Sequence, residues 1–131
     1  MARAQKKTAG KKREKKNLPV GHVHIHSMFN NTIVTLTDPD GNAFGWSSSG
    51  SRGFKGAKKG TAYAAQVACE TVLRKALDSG LREVYIFTRG PGSGKEAAVR
   101  TVNNLGVKVK LIKDLTPVAH NGCRPKGRRR V

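Results

Sequence analysis

Carboxylates are what this sequence has least of: eight Asp and Glu stand against 26 Lys and Arg in 131 residues, a net charge of +18 at pH 7. Two-metal phosphodiester chemistry needs several carboxylates converging on shared cations. The supply here is scattered. Asp38 and Asp40 belong to a hairpin turn, Glu14 to a basic terminus, and Glu70, Asp78, Glu83 and Glu96 to helices or their edges, which leaves Asp114 alone at a strand end. Cysteine is nearly absent: Cys69 falls inside a helical pattern and Cys123 near the C-terminus, with no C-x-x-C spacing, so neither a disulfide framework nor a zinc ribbon is supported. No apolar run approaches the roughly 18 residues that span a bilayer, and the first residues lack the apolar stretch of a signal peptide. These absences predict a soluble, intracellular chain with one domain and a modest core.

What is present is positive charge, unevenly placed. Residues 1–17 carry eight basic side chains and one acidic, and residues 120–131 carry five basic and none acidic. Such an excess implies a polyanionic partner, a nucleic acid or an acidic membrane surface. Neither terminus has periodic apolar residues, so both read as arms that are disordered until a partner neutralises them. The predicted organisation is a basic N-terminal arm over 1–17, a folded domain over 18–119 and a basic tail over 120–131. Within the first arm the nucleic-acid candidates are Lys11, Lys12, Arg13, Lys15 and Lys16.

In between, VGHVHIHSMF (20–29) alternates as a strand does, Asn30 and Asn31 suit the left-handed backbone of a tight turn, and TIVTLT (32–37) follows. DPDGN (38–42) is a hairpin signal leading into AFGWSS (43–48). A glycine-rich loop, SGSRGFKGAKKG (49–60), precedes a helical pattern over 61–80 with Ala65, Cys69, Val72 and Ala76 on one face and Gly80 placed to end it. A strand at 83–88, a second glycine-rich loop, a helix at 96–105 and a strand at 107–112 complete the order βββαβαβ. Ser93 and Glu96 have capping-box spacing at the second helix, which carries Ala98, Val102 and Leu105 on one stripe. This order predicts an α/β domain, a mixed sheet flanked by helices, with a ribonuclease-H-like topology among its solutions.

The second loop, RGPGSGKEA (89–97), sits where nucleotide-binding folds hold phosphate. Gly92, Gly94 and Ala97 fit G-x-G-x-x-G/A, and Asp114 lies 20 residues beyond Gly94. The chain is too short for the paired halves of a dinucleotide fold, however, and a Walker motif fails because Arg89 replaces its first glycine and Glu96 its Ser or Thr. RGFKG (52–56) likewise begins like an RNA-recognition-motif signature but departs at Lys55 and Gly56. His22, His24 and His26 share a strand face, yet no nearby Cys or carboxylate completes a metal site. Remaining are Arg52, Lys55, Lys58 and Lys59 in one flexible loop, Arg89 and Lys95 flanking another, and Arg100 about one helical turn further on. Glycine removes bulk while cations supply charge, which suits recognition of folded RNA through its backbone. An enzyme, either a nuclease or a nucleotide-dependent one, is the alternative class.

The strings HVHIHSMFNNTIVTLTD, GFKGAKKGTAYAAQVA, RGPGSGKEAAVR and TPVAHNGCRPKGRRRV closely resemble the bacterial small-subunit ribosomal protein eleven family, over roughly residues 18–131. The resemblance implies a ribonuclease-H-like fold without nuclease activity or cofactor. It further implies binding to ribosomal RNA on the platform of the small subunit, near the messenger-RNA exit side, in the cytoplasm or an organelle, beside the sixth and eighteenth small-subunit proteins. By motif it implies RNA contacts at Asn30, Asn31, Arg52, Gly53, Lys55, Gly56, Lys58, Lys59, Arg89, Gly90, Gly92, Gly94 and Lys95, and along the tail at His120, Asn121, Gly122, Arg124, Lys126, Arg128, Arg129 and Arg130. Two positions depart from common relatives: Lys95 stands where Arg is usual, and Ala62 where Pro often follows the threonine. Asn121 also precedes Gly122, whose bare amide nitrogen can attack the asparagine side chain, so this position is expected to form isoaspartate.

Overall fold

The computed structural model describes residues 17–131. The predicted order βββαβαβ is observed. Strands β1 (Val20–Ser27), β2 (Thr32–Thr37) and β3 (Ala43–Ser48) are followed by helix α1 (Ala62–Asp78), strand β4 (Glu83–Arg89), helix α2 (Gly94–Asn104) and strand β5 (Lys108–Asp114). They form one mixed sheet in the order β3-β2-β1-β4-β5. β1 pairs antiparallel with β2 and parallel with β4, so the first strand of the described residues occupies the centre.

Strand alternation sets which side is filled. Gly21, Val23, Ile25 and Ser27 of β1, with Val34 and Leu36 of β2 and Val84, Ile86 and Thr88 of β4, are buried on one face. Both helices pack on that face and against each other, α1 over β2 and β3, α2 over β1, β4 and β5. The predicted stripe of α1 is buried in full, and Ala64, Ala68 and Leu73 widen it. Alanines bring the helix close to the sheet, so contact area comes from proximity rather than side-chain length. In α2, Ala98 and Val102 are buried, and Leu105, just past its last residue, is half-buried.

Among the described residues no helix covers the opposite face of the sheet. The three histidines of β1 lie there, and two of their rings pack on aromatics: His24 stacks on Phe87 with centroids 5.3 Å apart, and His22 stands edge-on to Tyr85 at 5.4 Å, while His26 is exposed. Partial burial, with the positive neighbours His22 and Arg89, holds the His24 pKa below its ordinary value.

Helix ends follow their sequence cues with one exception. The Thr61 hydroxyl accepts from the Ala64 N–H at 3.3 Å, so α1 starts at Ala62 without a proline. Gly80 and Gly106 have φ of 85° and 78° just beyond the two helices. The capping box of α2 does not form. Ser93 already has helical angles, φ −73° and ψ −18°, which turn its hydroxyl away from the free N–H groups of the first turn.

Candidate nucleic-acid interface

Strand directions bring the predicted RNA-binding loops to one end of the sheet. β1, β4 and β5 run parallel and finish together, with His26 beside Arg89 and Thr88 beside Asp114. The β1–β2 turn reverses at the same end, where Ser27 faces Thr32, and β3 returns to it with Ser48 opposite Ile33. Loop 49–60 therefore starts there, and both helices begin there. Their positive dipole ends face the same surface as the loop cations, an arrangement that attracts anions.

The β1–β2 turn is tied by its backbone and by one side chain. Met28 N–H donates to the Asn31 carbonyl at 2.7 Å, and Asn31 Oδ1 accepts from Thr32 N–H at 2.9 Å. Neither Asn30 nor Asn31 takes the left-handed backbone that their identity suggested, since Asn121 is the sole non-glycine with positive φ among the described residues. The Asn31 side chain supplies the turn's extra acceptor, which makes a left-handed residue unnecessary.

The glycines fasten three segments onto this turn. A Cβ at Gly60 would collide with the Phe29 carbonyl, one at Gly90 with the Ser27 carbonyl, one at Gly92 with the Ser27 hydroxyl and Met28 carbonyl, and one at Gly94 with the Thr32 hydroxyl. Gly90, Gly92 and Gly94 are buried, while Arg89 before them and Pro91 and Ser93 between them are exposed. Gly92 N–H donates to the Ser27 carbonyl at 3.1 Å and Gly90 N–H to the Thr116 hydroxyl at 3.2 Å. Two amides of this loop are thus used inside the fold. What it offers a phosphate is the start of α2 and the flanking cations, on a surface whose shape the glycines fix. Gly53 and Gly56, by contrast, have positive φ in open space, so they bend loop 49–60 through two short 3-10 turns, Gly50–Arg52 and Gly56–Gly60.

The cations differ in availability. Arg52, Lys55, Lys58 and Arg89 are exposed and Lys59 is half-buried; among the described residues no carboxylate pairs with any of them. Arg100 is exposed on α2, about 9 Å along the axis from its start. Lys95 is partly committed, since its Nζ donates to the Gly90 carbonyl at 3.3 Å and lies 3.6 Å from the Asp114 carboxylate. Thr116, through its hydroxyl and its N–H, and then Lys95 hold the Asp114 carboxyl below the usual carboxylate range. Lys95→Glu would set a second carboxylate against Asp114. We expect it to weaken RNA binding by about 1–3 kcal/mol and also to lower the melting temperature, whereas Lys95→Gln affects binding more than folding. Paired melts and RNA titrations of the two variants check this.

From 115 onward the chain has no regular secondary structure and is exposed throughout. It leaves from the same end of the sheet, with Leu115 N–H donating to the Thr88 carbonyl at 2.8 Å. His120, Arg124, Lys126, Arg128, Arg129 and Arg130 project along it, and Asn121 and Gly122 both have positive φ, 69° and 67°. Lys11, Lys12, Arg13, Lys15 and Lys16 lie outside the described residues.

Sequence reasoning missed the apolar members of this end. Met28 is 53% exposed, Phe29 78% and Tyr63 65%, and Phe54 meets Tyr63 edge-on at 5.9 Å. The available signal was an aromatic set among glycines, asparagines and cations, where no core can use it.

Among the described residues nothing at this end resembles a catalytic centre, and no group of His, Cys, Asp or Glu could hold a metal ion. Asp38 and Asp40 occupy the β2–β3 turn at the far end of the sheet, Glu83 pairs with Lys110 at 3.4 Å, and Asp114 is held as described. Burial pushes the Cys69 thiol up to about 12, far from a thiolate nucleophile.

Comparison with known proteins agrees with this arrangement. The family model of ribosomal protein S11 matches residues 21–130, which include every loop gathered at the cationic end. A "Small ribosomal subunit protein uS11" of Lawsonia intracellularis is 59% identical over 128 residues, 98% of this chain and 99% of that relative. Proteins of the same name from Desulfovibrio desulfuricans and Nitratidesulfovibrio vulgaris are each 58% identical over the same shares. With a two-layer α/β domain, a cationic end and near-complete coverage by such relatives, the chain belongs to the ribosomal protein S11 family.

Proposed function

We propose that this protein is a structural, non-enzymatic component of the small ribosomal subunit in the bacterial cytoplasm, and that its cationic sheet end binds ribosomal RNA. The carrying observation is the convergence of Arg52, Lys55, Lys58 and Arg89 with two helix N-termini at the end from which the basic tail departs. A folded RNA recognised through its backbone needs such a shaped cluster of charge. The buried Gly90, Gly92 and Gly94 support this role indirectly, by holding the loops in place, and Asn30, Lys59 and Arg100 extend the contact surface. The tail and the basic N-terminal arm thread between RNA helices, organising the platform near the messenger-RNA exit side. The sixth and eighteenth small-subunit proteins are the expected neighbours.

Chemical footprinting of small-subunit ribosomal RNA with the full chain tests this reading. A compact protected patch that disappears when Arg52, Lys55 and Lys58 are changed together to Gln supports it. Unchanged reactivity, or magnesium-dependent cleavage of the RNA, overturns it.

Asn121 is proposed to convert to isoaspartate. It is exposed beside Gly122, so no packed side chain hinders ring closure by the Gly122 nitrogen. Isomer-resolving peptide mass spectrometry of aged, assembled subunits should find isoaspartate at 121; asparagine throughout rejects the assignment.

A further inference from the structure

Three large apolar side chains stand in solvent at the cationic end of the sheet. Met28 and Phe29 occupy the β1–β2 turn, and Tyr63 lies in the first turn of α1 with its ring edge against Phe54. The domain has a filled core on the other side of these segments, so the rings are not surplus core residues facing the wrong way. Nor can the turn easily fold them inward. Its ends are joined by the Met28–Asn31 hydrogen bond, and Gly60 abuts the Phe29 carbonyl so closely that no other residue fits there. Phe29 is thereby presented on a fixed backbone.

The surroundings select the partner. A protein docking through these rings would have to bring its own surface against Arg52, Lys55, Lys58 and Arg89. A nucleic acid supplies an aromatic face and a phosphate with every nucleotide, matching the interleaving of ring and cation here. We propose that Phe29 and Tyr63 are stacking surfaces for unpaired bases of the bound RNA, while the neighbouring cations hold the adjoining phosphates. This rests on the reading of the same end as an RNA interface and adds to it a second, uncharged mode of recognition. Duplex RNA hides its base faces, so the bases concerned are in loops, bulges or ends.

The two modes separate in a salt series. Affinity of the full chain for small-subunit ribosomal RNA is measured from low to high salt for the unmodified protein and for Phe29→Leu, Tyr63→Leu, Phe29→Trp and Lys58→Gln. Stacking predicts that each Leu variant binds roughly five- to hundredfold more weakly at every salt concentration, with an unchanged slope, and that Phe29→Trp restores affinity. Lys58→Gln should instead reduce the slope by roughly 0.7. Both rings are exposed, so the Leu variants should melt with the parent. Leu variants that bind as tightly as the parent overturn the proposal and leave the rings to a protein neighbour. A flat salt response of the unmodified chain overturns the underlying phosphate reading, whatever the ring variants do.

Discussion

Gly90→Ala is expected to lower the melting temperature by on the order of 15 °C, a large loss for one added methyl group. Gly90 has φ +100°, which strains any L side chain, and its Cβ would enter the Ser27 carbonyl. That carbonyl cannot move away freely, because it accepts the Gly92 N–H and ends the central strand. The backbone strain and the collision together should cost roughly 3–5 kcal/mol, a large part of the stability of a domain this size. Gly53→Ala is the internal control. Its φ is +90°, but nothing lies within 4 Å of the added carbon, so only the strain of about 1–2 kcal/mol applies. Gly127→Ala, with neither positive φ nor a neighbour, should change nothing. Thermal denaturation of the three variants checks the ranking. Equal losses at 90 and 53 would mean that the loop is not locked onto β1.

Removing residues 120–131 should have the opposite profile: little change in melting temperature and a large loss of RNA affinity. The segment is exposed and contributes no buried side chain, whereas Leu115 and Thr116, which tie the chain to β4 and the glycine loop, remain. Five cations leave with it. At about 0.7 per neutralised phosphate of single-stranded RNA, the slope of log affinity against log salt should fall by roughly 3 to 4. The same exponent makes the loss at 0.1 M salt about a thousandfold relative to 1 M. Titration at four or five salt concentrations reads both numbers. An unchanged slope would show that the tail does not meet phosphate, and a marked drop in melting temperature would show that it packs on the domain.

Much of this molecule was legible because its local signals agree with its packing. Alternation in HVHIHS and TIVTLT, the Asp-Gly turn at 40 and 41 and the alanine stripe of α1 each dictated an element that the fold then used. Which strand lies beside which was harder to read, since the parallel pairing of His22 with Tyr85 leaves no mark in either segment. At the cationic end, the cations were visible as residue types, but their separate availability was not. Lys95 and Lys58 look alike in sequence, and the approach of Asp114 and the Gly90 carbonyl to Lys95 distinguishes them. The glycines of RGPGSGKEA carried a signal with two physical meanings, close approach of a phosphate or close approach of the protein's own backbone. Tertiary packing chose the second for Gly90 and Gly92. Ser93 and Glu96 matched a capping pattern, but Gly92, pinned to Ser27, brings the chain into α2 with Ser93 already in helical geometry.

The central place of β1 bears on how the chain is made. Its antiparallel partner follows almost at once, so the hairpin with β2 can close early in synthesis. Its parallel partner β4 lies more than sixty residues later, Val20 pairing with Glu83. At translation rates of about 5–20 residues per second, the other edge of β1 waits several seconds without its hydrogen bonds. During that interval Val23 and Ile25 lack their β4 neighbours on a bare strand edge, a surface prone to pair with other chains. Parallel pairing across so long a separation is also intrinsically slow. A chain made with its central strand ahead of that strand's parallel partner therefore depends on speed of completion, or on early capture by a polyanion, to stay out of aggregates.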